Sequence, residues 1–85
     1  HGMLFVSDTE QVINMWMKNT RIPLDMLFIA KNGTIRHIEE ETTPYSEAVI
    51  SSQVPVSAVL EINGSLCNRL GIRVGDTVAH RLFVP

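Results

Sequence analysis

One proline constrains this chain more than any other residue. Pro23 lies inside residues 14–29, where two apolar runs, Met15-Trp16-Met17 and Met26-Leu27-Phe28-Ile29, flank the polar crossing Lys18-Asn19-Thr20-Arg21 and a Pro23-Leu24-Asp25 step. Its ring fixes φ, removes an N–H and pushes Ile22 toward extended backbone, which argues against a helix through the segment. The two apolar runs are then too short for helices and read as strand ends of a buried sheet.

Two readings fit the crossing. Asn19, Thr20 and Asp25 bond to nearby backbone and shape the chain, as short polar side chains commonly do. Alternatively, an ammonium (Lys18), an amide (Asn19), a hydroxyl (Thr20) and a carboxylate (Asp25) gather beside Trp16 and bind a ligand. The two are compatible. By its usual burial Trp16 reads first as a core side chain, and only second as a ligand platform.

Eighty-five residues make one domain, 1–85, and a chain of this size buries about 60–65% of its unfolded surface. A hydrophobic content of 45% excludes a disordered chain. Net charge is −2 with no basic block, so nucleic acid is not an expected partner. No apolar run approaches the roughly 20 residues of a membrane span. The single Cys67 has no internal disulfide partner and reads as a small buried side chain on a helix. The glycines are isolated turn or cap residues, and no phosphate loop, paired-Cys motif or nucleophile elbow is present; no cofactor is expected. Glu39-Glu40-Glu41 reads as a solvated loop, and His1, His37 and His80 are too scattered to complete a metal site.

Along the chain, residues 3–7 and 12–18 read as an antiparallel hairpin turned by Asp8-Thr9-Glu10-Gln11, both strands buried on more than one face. Residues 26–30 and 34–40 form the clearest hairpin, because Asn32-Gly33 tolerates positive φ. Alternation there puts Ile35 opposite Arg36 and on the same face as His37. Ala48-Val49-Ile50 reads as a short edge strand and residues 57–62 as a strand, with Glu61 pointing outward into solvent. A helix follows over 65–70, capped by Asn63 or Ser65 and closed by Gly71. Residues 77–84 read as a final strand.

Gly2-Met3-Leu4-Phe5-Val6, Met15-Trp16-Met17-Lys18-Asn19-Thr20, Ile22-Pro23-Leu24-Asp25, Asn32-Gly33-Thr34-Ile35, Val59-Leu60-Glu61-Ile62 and Leu70-Gly71-Ile72-Arg73-Val74-Gly75-Asp76-Thr77-Val78 together resemble the DUF192 family, in order and over nearly the whole chain. The Trp-Met-Lys-Asn-Thr and Pro-Leu-Asp combination is the specific part. The resemblance implies a compact, mainly β domain, often behind a secretory signal and so extracytoplasmic, with no established activity. It also implies a further segment before Gly2, so that this chain is a shortened version or its barrel is less complete.

The expected fold is mainly β, α+β at the margin: about six to seven short strands in a small, partly open β-barrel with one short helix near 65–70. The first functional expectation is a non-catalytic binding or accessory module for an unknown small molecule or protein, with Trp16, Lys18, Asn19, Thr20 and Asp25 as its site. The second is a small hydrolase or lyase using Asp25 with Lys18 and Asn19. The third is a structural subunit, a homo-oligomer formed through an open sheet edge.

Overall fold

The computed structural model describes residues 2–78. In order these form β1 (Gly2–Gln11), β2 (Asn14–Met15), β3 (Leu24–Ile29), β4 (Ile35–Glu39), β5 (Ile50–Ser51), β6 (Val56–Asn63) and one helix, α1 (Leu66–Leu70). The protein is mainly β. Its four-stranded antiparallel sheet has the order β1-β6-β3-β4, and β2 pairs with β5 in a separate two-stranded ribbon. Among the described residues the two sheets are not closed into a barrel. The expected final strand over 77–84 lies mostly outside the described residues; within them, Thr77 bridges to Thr34.

Alternation along β3 creates two cores. Leu27 and Ile29 face one side of the sheet, where they pack with Ile35, Ala58 and Cys67 of α1. Met26 and Phe28 face the other, where they pack with Met17, Val56 and Val59, and Ile13, Met15 and Ile50 of the ribbon region close over them. β3 is therefore apolar at consecutive positions because both of its faces are covered.

The Asn32-Gly33 hairpin forms as expected, joining β3 to β4. Gly33 takes the left-handed conformation (φ 91°), its N–H bonding to the Ala30 carbonyl, and the Asn32 side chain accepts from the Thr34 N–H. The register shifts between Phe28 and Ile29, so Ile35 pairs with Ile29 while His37 pairs with Phe28. Ile35 and His37 therefore lie opposite residues of different faces, which corrects the simple alternation read from the sequence.

The expected 3–7 and 12–18 hairpin does not form. β1 continues through residues 8–11 instead of turning, and pairs with β6, while β2 pairs with β5. Between Val6 and Gln11 its partner advances only from Ala58 to Val56, so β1 is bulged there. β1 is also not buried on two faces: Met3, Phe5 and Val6 are exposed. An apolar run announces a strand, but its partner depends on which distant segment covers it.

Candidate functional site

The polar crossing begins at Met17, whose fully buried side chain anchors it in the ribbon-side core. The Thr20 N–H returns to the Met17 carbonyl at 3.0 Å, making a tight turn with Lys18 and Asn19 exposed at its tip. The Met17 N–H donates to the Ser46 carbonyl, and the Tyr45 N–H to the Thr20 carbonyl, so the turn is tied to residues 45–46 on both sides. Trp16 is 53% exposed, against its expected place in the core. The Lys18 Nζ sits 5.3 Å from the centre of its ring, a cation–π pair at the surface.

Asp25 lies beyond that turn, on β3. It is fully buried, and its carboxylate accepts three backbone N–H groups: Glu41 at 2.8 Å, Ser65 at 3.0 Å and Cys67 at 2.9 Å. It supplies the N-terminal cap of α1 that Asn63 or Ser65 was expected to provide; Ser65 stands at the cap position, but its side chain makes no capping bond. Burial alone would raise the pKa of Asp25. The N–H groups of Glu41, Cys67 and Ser65 and the Cys67 thiol more than offset this, leaving the carboxyl below its ordinary 3.8. Burial, the charge and hydrogen bond of Asp25, and the charge of Glu40 push the Cys67 thiol up to about 12, so it is an inert core side chain on α1.

The same step carries further ties. The Pro23 carbonyl accepts the Gly64 N–H, and the Leu24 carbonyl accepts both the N–H and the hydroxyl of Thr42. Pro23-Leu24-Asp25 thus fastens the 41–42 loop and the approach to α1 onto β3.

Asn19 and Thr20 do reach a cavity. With Arg21, Glu61 and Asn63 they give the polar lining of an open recess of about 750 Å³, whose apolar lining is Met3, Ile22, Leu24 and Ile62. Trp16, Lys18 and Asp25 do not line it. Glu61 is half-buried, in register between Met3 of β1 and Met26 of β3, and burial raises its carboxyl above the ordinary 4.5. That corrects its expected solvated position. The signal was present in the sequence as a carboxylate inside Val59-Leu60-Glu61-Ile62, but only sheet register reveals that both flanking strands carry methionine there. Among the described residues no group of His, Cys, Asp and Glu could hold a metal ion, and no helix is long and apolar enough to cross a membrane.

No curated protein matches the chain. It is similar to a protein of Sinorhizobium meliloti 1021, described with its crystal structure as a candidate transcription regulator, at 55% identity and a TM-score of 0.88 over 91% of this chain and 60% of that one. It is also similar to a protein of unknown function from Novosphingobium aromaticivorans DSM 12444, at 41% identity and a TM-score of 0.86 over 89% of this chain and 54% of that one. The chain therefore spans less than two thirds of either. The family model DUF192, described as an uncharacterized ACR, matches residues 1–80. With the Trp-Met-Lys-Asn-Thr crossing and the Pro-Leu-Asp step in place, the chain belongs to the DUF192 family.

Proposed function

We propose that this chain is a non-catalytic binding module whose ligand site is the recess beside the polar crossing. The observation that carries this is Glu61: a half-buried carboxyl, raised by desolvation, on the wall of an open cavity with polar and apolar lining. Ligand sites of this kind are concave, with a few polar groups set among apolar ones, and about 300–1,000 Å³ in volume. Asn19 and Thr20 belong to the site directly. Trp16 and Lys18 form their own cation–π pair outside its lining, and Asp25 holds the surrounding backbone in shape.

The hydrolase or lyase reading is weaker. A general base needs a free lone pair and a pKa near the working pH, whereas Asp25 is sealed, bonded to three N–H groups and lowered in pKa. The candidate-regulator description of the S. meliloti relative is compatible with ligand sensing; a net charge of −2 gives no electrostatic support for DNA contact by this segment. Self-association through β1 has one favourable observation, since among the described residues that strand pairs on one side only and exposes Met3, Phe5 and Val6.

Amide chemical-shift mapping with a mixed set of small polar and apolar fragments tests the binding reading. Shifts should concentrate at Asn19, Thr20, Glu61 and Asn63 and spare Glu41 and Cys67. Fragments that leave all four amides unmoved, or that gather elsewhere on the surface, would refute it.

A further inference from the structure

The recess carries two opposite charges that do not meet. Arg21 and Glu61 both line it, yet among the described residues no lysine or arginine lies within ion-pair distance of a carboxylate; the one such contact is the His37 imidazole with Glu39 at 3.1 Å. A half-buried carboxylate with no cation beside it among the described residues is in an unfavourable setting, and an ammonium brought against it would relieve the cost of its desolvation. A guanidinium at the same recess is suited to a carboxylate, which it can hold by two parallel N–H bonds. The same recess is lined by the neutral hydrogen-bonding residues Asn19, Thr20 and Asn63, while Ile22, Leu24 and Ile62 offer apolar surface. At about 750 Å³ the recess is roomier than a single amino acid needs.

We propose that the recess binds a zwitterion with an apolar body, namely a short apolar peptide with both ends free, its ammonium at Glu61 and its carboxylate at Arg21. This rests on the binding reading above and narrows it to a ligand class. The neutral polar groups hydrogen-bond the peptide unit, and the aliphatic side chains of the peptide lie against Ile22, Leu24 and Ile62.

The test is calorimetric titration with the dipeptide Leu-Leu, its N-acetylated form, its C-terminal amide and leucine. Blocking either end should weaken binding at least tenfold. In Glu61→Gln the penalty for acetylation should vanish and that for amidation remain; in Arg21→Gln the reverse should hold. Amide spectra of both variants should match the parent outside the recess, which separates lost recognition from lost folding. Blocked peptides that bind as well as the free one, or variants that leave both penalties intact, would overturn the zwitterion. Leucine binding as tightly as the dipeptide would overturn the peptide length. If Leu-Leu leaves the recess amides unmoved while the fragment set moves them, the ligand class falls and the binding site stands. If neither moves them, both fall.

Discussion

A carboxylate with no water to face must find its donors within the protein, and Asp25 finds them in the loop after β4 and at the start of α1. Hydrogen bonds to a buried charge are among the stronger ones, and an asparagine there would keep one acceptor oxygen while aiming an NH₂ at N–H groups that need acceptors. Asp25→Asn should therefore cost about 3 kcal/mol, on the scale of a hydrogen-bonded buried charge that loses partners. A urea melt with an unchanged slope and a lowered midpoint would show it. The pH dependence has a definite sign. Because the folded-state pKa of Asp25 is depressed, its contribution is complete above the ordinary 3.8 and is lost as pH falls through the lower folded value. Glu61 acts in the opposite sense: its folded pKa is raised, so its contribution is present below 4.5 and is lost as pH rises through the higher folded value. In urea melts across acidic pH, Asp25→Asn should remove the steeper loss at the lowest pH, and a parent whose stability stays flat there would contradict this account.

Among the elements, the approach to α1 is set by a contact of backbone with backbone. A Cβ on Gly64 would stand 3.0 Å from the Pro23 Cβ and 3.1 Å from its carbonyl oxygen, the same oxygen that accepts the Gly64 N–H at 3.0 Å. A proline ring and its carbonyl cannot swing aside as a flexible side chain can. Gly64→Ala should therefore displace the loop and cost about 1–3 kcal/mol, the range for overpacking. Faster exchange of the Cys67 amide, whose bond to Asp25 depends on that loop, is the measurement that checks it. The two hairpin expectations show what an element's sequence does and does not carry. Asn32-Gly33 encodes its turn locally, since Gly33 adopts positive φ and Asn32 bonds two residues ahead. Residues 8–11 encode no such turn, and β1 runs on through them to meet β6.

For the molecule, the arrangement is a sheet sandwiched between a short helix on one face and a two-stranded ribbon on the other. β3 and β6 are its interior strands, each with a neighbour on both sides, whereas β2 and β5 pair over only two residues each. Amide hydrogen exchange should place the slowest amides in β3 and β6, opening only with the whole fold, and the ribbon amides should exchange through smaller local openings. Ribbon amides as slow as those of β3 would show that the two-stranded unit is integral to the cooperative core.

By itself the sequence determined what is local: Pro23 forbidding a helix, Asn32-Gly33 forming a turn, Gly71 ending a helix that holds Cys67, and the ordered motifs of the family. These rest on backbone sterics and on neighbours a few residues apart, which a linear pattern contains. Only the tertiary structure decided the partner of β1, the exposure of Trp16, the sealing of Asp25 and the half-burial of Glu61. Each of these depends on groups brought together across long stretches of chain, as with the Asp25 carboxylate and the Cys67 N–H. Solvation and hydrogen bonding answer to proximity in space, and residue type alone does not state it.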